Sequence, residues 1–146
     1  MKIGFTCGAF DLLHAGHILM FKEARSICDY LIVGVQSDPS VDRPFKNTPI
    51  QTYDERIMQV QAIKYVDEVV VYDTEERLVN LIKELKPHIR IIGADWKGKE
   101  FTGHDLPIEI YFNSRDHAWS TSDLRMRVYL SMAERVAIDK KENIEE

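Results

Sequence analysis

Five short runs of branched apolar residues punctuate this chain, and between them the apolar positions recur every three to four residues. Ile3-Gly4-Phe5-Thr6, Leu31-Ile32-Val33-Gly34-Val35, Val69-Val70-Val71-Tyr72, Ile89–Ile92 and Ile108-Glu109-Ile110-Tyr111-Phe112 read as strands. Continuous runs of this kind suit parallel strands covered on both faces. The intervening segments read as helices. One runs from about Gly16 to Ile27 on Ile18, Phe21, Ala24 and Ile27, and another from Tyr53 to Lys64 on Ile57, Val60 and Ile63. Thr52 is placed to be the N-cap of the second, with Glu55 as its capping-box partner. Leu78, Leu81, Ile82 and Leu85 stripe a third helix, which Pro87 ends. A last helix is expected from about Ser120 to Arg135.

Alternating strands and helices predict an α/β fold: a doubly wound, Rossmann-like parallel sheet of about five strands with flanking helices. The chain has 146 residues and is 45% hydrophobic, enough for one core. The expected organisation is one domain, residues 1–137, and a charged, frayed tail, residues 138–146. Ligands of such sheets bind outside the carboxyl ends of the strands. That singles out the loops Cys7–Gly16, Gln36–Thr52, Gly93–Leu106 and Asn113–Ser120.

Composition narrows the function. A net charge of -5 argues against non-specific nucleic-acid binding, though not against a local basic pocket. Cys7 and Cys28 are too few for a disulfide framework or a zinc cluster; they fit a reducing compartment and read as small apolar fillers. No apolar stretch approaches the ~20 residues of a membrane span, and Met1 leads into a strand rather than a basic leader. A soluble cytoplasmic protein without nucleic-acid or membrane partners is expected.

The first loop concentrates the chemistry. Gly8 permits a close backbone approach, and Gly16 lies where a helix begins, so free N–H groups there favour an anion such as phosphate. His14 and His17, three apart, share one side of a helical turn. Spacing alone leaves open a structural turn or a metal-binding pair, although no further His, Cys or carboxylate has clear ligand spacing.

Gly8-Ala9-Phe10-Asp11 followed by His14-Ala15-Gly16-His17 resembles the G-x-F-D and H-x-G-H signature of the cytidylyltransferase-like nucleotidyltransferases. Within them, the chain resembles the glycerol-3-phosphate, choline-phosphate and ethanolamine-phosphate cytidylyltransferases most. Asp54-Glu55-Arg56 with Tyr65–Val70, Gly93–Lys99 and Arg115–Ser122 resemble further segments of those enzymes, in the same order. The resemblance implies in-line attack by an acceptor phosphate on the α-phosphate of a nucleoside triphosphate, with pyrophosphate leaving. His14, His17, Lys46 and Arg115 would be catalytic. Gly8, Ala9, Phe10, Asp11, Gly16, Asp38, Arg56, Gly93, Asp95, Trp96, Ser120 and Thr121 would bind the nucleotide. Mg²⁺ would accompany the triphosphate, with Asp11 a candidate to position the metal or an imidazole. His117 and Trp119 would shape the acceptor pocket. A homodimer is implied.

Three positions depart from the family pattern. Ala94 replaces the first aspartate of a G-D-D-W loop, and Ala118 and Trp119 replace a glycine and an aliphatic residue. The leading expectation is CMP transfer from CTP to a small phosphorylated acceptor, with glycerol 3-phosphate the first choice. ATP-dependent adenylyl transfer to a sugar phosphate or cofactor precursor is the alternative enzyme reading. A nucleotide-binding regulatory module without turnover is the alternative from another class.

Overall fold

The computed structural model describes residues 1–145. Its strands are β1 (Ile3–Gly8), β2 (Tyr30–Gln36), β3 (Glu68–Tyr72), β4 (Ile89–Gly93) and β5 (Glu109–Asn113). Its helices are α1 (Ala15–Ser26), α2 (Pro39–Asp42), α3 (Tyr53–Gln61), α4 (Glu75–Leu85) and α5 (Thr121–Glu145). All neighbouring strands are parallel, in the order β3-β2-β1-β4-β5. The expected doubly wound α/β architecture is therefore the observed one.

Two apolar layers cover the sheet. Phe21 and Ala24 of α1 and Val60 of α3 pack with Leu31, Val33, Val35 and Ile91. Leu78 and Ile82 of α4 pack with Phe5, Ile32 and Tyr72 in the other layer. The interior strand β2 is buried from Leu31 to Gln36, as its unbroken branched run requires. Gly4 is small because an added Cβ would lie 2.8 Å from the Cys28 sulfur. Cys28 thus fills space as expected.

Local signals explain the element ends. Thr52 and Glu55 form the anticipated capping box of α3. Thr74 caps α4, which ends at Lys86 in the left-handed region ahead of Pro87. Two short elements were not foreseen: α2, started by the Asp38 cap and Pro39, and a single 3₁₀ turn at Ala94–Trp96. The tail requires a larger correction. It is not frayed but continues α5 to Glu145. Its Lys and Glu residues are strong helix formers, and Arg135 pairs with Asp139 one turn on at 3.3 Å. Helix α5 carries too many charges to cross a membrane, and no other described helix is long and apolar enough.

Strand order reverses direction between β1 and β4, and the crevice of such a sheet opens at the carboxyl ends of that pair. The loops leaving β1, β2, β4 and β5 surround it.

Candidate functional site

The β1 exit loop is held in a costly conformation. Phe10 and Leu12 have φ of 52° and 50°, which disfavours non-glycine residues by roughly 1–2 kcal/mol each. Its surroundings fix it from three directions. The Asp11 carboxylate accepts the Ile50 and Gln51 N–H groups, both at 2.9 Å. Gln51 Oε1 accepts the Leu12 N–H at 2.7 Å. Arg56 donates to the carbonyls of Ala9, Gln36, Ser37 and Gln51.

Three expectations change here. Arg56 is only 1% exposed and its donors are spent on backbone carbonyls, so it clamps the β1 and β2 exit loops and is not placed to hold a triphosphate. Asp11 is likewise engaged, with Arg125 also 3.8 Å away, so it positions backbone rather than a metal. Among the described residues, no group of three or more His, Cys, Asp or Glu could hold a metal ion. Asp38 caps α2 through the Ser40 N–H and hydroxyl at 2.9 and 2.6 Å, leaving it little freedom for a ribose.

The two histidines of the first loop do double duty. His14 is the N-cap of α1, and its Nδ1 accepts the Gly16 N–H at 3.0 Å. His17 Nδ1 accepts the His14 N–H at 3.1 Å, closing a capping box built from imidazoles. Their ring centroids are 3.9 Å apart. A third imidazole joins them from the β5 exit loop: His117 Nδ1 accepts the Trp119 N–H at 3.1 Å, and its ring stacks on the Trp119 indole. A Cβ added at Gly16 would meet both His14 Cε1 and His117 Cε1 at 2.8 Å. Only glycine fits between these rings.

This pattern fixes tautomers. A ring nitrogen that accepts a hydrogen bond carries no proton, so each neutral ring holds its proton on Nε2. His14 Nε2 can donate to Thr121 Oγ1, 3.2 Å away, and that contact joins the N-terminus of α1 to that of α5. Burial, then the nearby His117 and Arg115, hold His14 below the ordinary histidine range. Burial and His14 push His17 down to about 4. Both rings are neutral at pH 7 and serve as fixed N–H donors rather than cations.

His14, His17, Arg115, His117, Ser120 and Thr121 line one cleft of about 240 Å³. The N-termini of α1 and α5 contribute to it, and free backbone N–H groups with the helix dipole favour an anion there. Arg115 pairs with Asp95 at 2.8 Å, linking the β5 and β4 exit loops. Both partners are well exposed, so a ligand phosphate can compete for the guanidinium. His117 and Trp119 thus join the histidine cleft instead of forming a separate pocket. Glu23 of α1 accepts the Ser114 N–H and hydroxyl and anchors this loop.

A second cavity, of about 320 Å³, opens on the α4 side of the same loop. Gly8 and Ala9 border it, with Gly93 and Trp96 opposite and Lys46 on its exposed rim. The sequence reading missed most of its polar lining. Arg43 bonds Glu75 at 2.7 Å and Gln36 at 3.3 Å. Cys7, expected as filler, faces the cavity, and burial pushes its thiol pKa up. Arg90 is buried in β4. A lone arginine in the aliphatic run Ile89–Ile92 was its available signal, because a cation in a covered strand needs a polar recess.

The chain is similar to known proteins in sequence and in fold. A family model described as cytidylyltransferase-like matches residues 5–127. The bifunctional protein HldE of Campylobacter concisus is 39% identical over 128 residues, covering 87% of this chain and 27% of that one. HldE of Aliarcobacter butzleri is 41% identical over 110 residues, covering 75% and 23%. The chain spans about a quarter of the length of these curated relatives. A solved lipopolysaccharide core biosynthesis protein from Thermoplasma volcanium superposes with a TM-score of 0.68 at 27% identity, covering 80% of this chain and 99% of that one. A pantoate-beta-alanine ligase from Francisella tularensis, at 18% identity and a TM-score of 0.54, covers 80% and 60% and shares the fold.

Proposed function

The chain belongs to the cytidylyltransferase-like family, and on that premise we propose that it transfers an adenylyl group from ATP to a sugar phosphate. The observation that carries nucleotidyl transfer is the histidine cleft. Three imidazoles with their Nδ1 atoms tied to backbone N–H groups meet two helix N-termini there. The triphosphate lies in this cleft. An acceptor phosphate oxygen attacks the α-phosphorus, the new P–O bond forms, and the bond to the β-phosphate oxygen breaks to release pyrophosphate. The neutral Nε2–H donors of His14 and His17 stabilise charge on the α-phosphate without exchanging protons. Arg115, Ser120 and Thr121 hold the β- and γ-phosphates, and Lys46 neutralises charge from the cavity rim. Positioning and charge stabilisation together suffice, since no protein nucleophile is needed. Mg²⁺ would ride on the phosphates themselves, as a hard cation does, and would offset their charge.

ATP is favoured over CTP by Ala94, which removes a carboxylate from the loop that resembles the cytidylyltransferases. A sugar phosphate is favoured by the relatives named HldE and by the lipopolysaccharide core protein, since that core is built of sugars. The retained Asp95-Trp96-Lys97-Gly98-Lys99 segment supports a second reading, CMP transfer from CTP to glycerol 3-phosphate. Pyrophosphate release with ATP or CTP, against six- and seven-carbon sugar 1-phosphates and glycerol 3-phosphate, separates them. Turnover with ATP and a sugar phosphate is expected. Turnover only with CTP and glycerol 3-phosphate reverses the assignment, and tight nucleotide binding without pyrophosphate release supports a regulatory module.

A further inference from the structure

From the cavity on the α4 side, we infer that Arg90 is the anchor for the acceptor's phosphate monoester. The inference rests on the nucleotidyl-transfer reading and adds the site and a residue for its second substrate.

The argument starts from charge. Arg90 is 4% exposed, and a guanidinium keeps its positive charge when buried. A buried cation is costly unless it is paired. The other buried or half-buried arginines near this crevice are provided for. Arg56 gives its donors to four carbonyls, and Arg43 is paired with Glu75. Arg90 has no carboxylate within 4.0 Å among the described residues, and its Nε has no hydrogen-bond partner. Nη1 donates to the Thr102 carbonyl, and Nη2 donates only to the polarisable Cys7 sulfur, at a long 4.0 Å. The Phe101 ring lies 5.3 Å beneath the guanidinium. These contacts orient the group and leave its charge unmatched.

The fold keeps the guanidinium in place. A Cβ at Gly103 would lie 2.9 Å from Nη1, and Gly103 has a φ of 80°, so the loop after β4 closes on the arginine only with glycine there. Arg90 pairs in register with Phe5, and its side chain reaches Cys7, one residue short of Gly8. It therefore lines the cavity just inside the loop that divides it from the histidine cleft. Glu75, the cavity's carboxylate, is already neutralised by Arg43. A phosphate monoester bound between Arg90 and the rim Lys46 meets unmatched positive charge close to the attacked phosphorus. Tyr72 and the Arg43–Glu75 pair are left to read hydroxyl groups. The volume of about 320 Å³ suits a single sugar phosphate.

Calorimetric titration tests this in the intact chain with three probes: glucose 1-phosphate, inorganic phosphate and a non-hydrolysable ATP analogue. Arg90→Met should weaken glucose 1-phosphate and inorganic phosphate at least tenfold and change the ATP analogue less than twofold. Arg90→Lys should restore part of the loss, which a packing role would not produce. Thermal melting checks that both variants are folded, and if the Met variant is not, the Lys variant must still show weakened phosphate binding. Equal weakening of the ATP analogue would place Arg90 on the nucleotide and overturn the inference. Unchanged phosphate affinity, or no sugar phosphate binding by the wild type, would overturn it as well. Arg90-dependent binding without pyrophosphate release would fault the transfer reading and leave this site standing.

Discussion

Single residues in this chain often hold backbone where motif matching suggests ligand contact. Arg56 illustrates this. Its replacement by methionine strands four carbonyls and frees the strained Phe10–Leu12 loop. A loss of at least ~3 kcal/mol in denaturant melts is expected, because each unsatisfied buried acceptor costs about 1–3 kcal/mol. A loss below ~1 kcal/mol would mean that the clamp contributes little. His17 gives a pH signature. Its native pKa, about 4, lies below that of an unfolded histidine, so the unfolded state binds more protons between the two values. The native state is then unaffected at pH 7 and loses up to roughly 3 kcal/mol as pH falls from about 6.5 to about 4. The melting temperature of wild type should drop more steeply over that window than that of His17→Gln. Parallel curves would show that the ring is not held neutral.

At the scale of elements, periodicity and caps made most of the fold legible. The strands sit within two residues of expectation because each is a branched run bounded by turn residues. Thr52 and Glu55 capped α3 as their types dictate. What stayed hidden depends on partners distant in sequence. Nothing local says that Asp11 would accept from residues 50 and 51, or that His117 would meet Gly16. The tail was misjudged because charge was taken as a sign of fraying, although the same residues are good helix formers. Helix α5 raises its own question. Tyr129, Met132 and Val136 lie exposed along it, more apolar surface than an isolated helix leaves in water. We propose that a second copy covers this stripe, in keeping with the expected homodimer. Light scattering should give twice the mass of one chain, and Tyr129→Glu with Met132→Glu should give the single mass. A monomeric wild type at micromolar concentration would rule this out.

Taken whole, the molecule sets two cavities on either side of one strained loop. The histidine cleft lies on the α1 and α5 side and the Arg90 cavity on the α4 side, at the reversal point of the sheet. The sequence made the first of these readable, because its histidines stand together in the chain. The second is assembled from β1, β2, β4 and their loops; Gly8, Ala9, Lys46, Gly93 and Trp96 of its lining were expected as site residues, but the buried Arg90 was not. Such a division predicts separable effects: changes around Arg90 alter the apparent affinity for acceptor, and changes at the imidazoles alter turnover. The central claim is that His14 and His17, as fixed neutral donors, stabilise nucleotidyl transfer. It is tested most directly by the rate of pyrophosphate release in His14→Ala and His17→Ala beside wild type, with circular dichroism to confirm the fold. Turnover lower by about 10²–10³ is expected in each variant, the loss typical of removing one donor to developing charge. Turnover near wild type in both folded variants would contradict it.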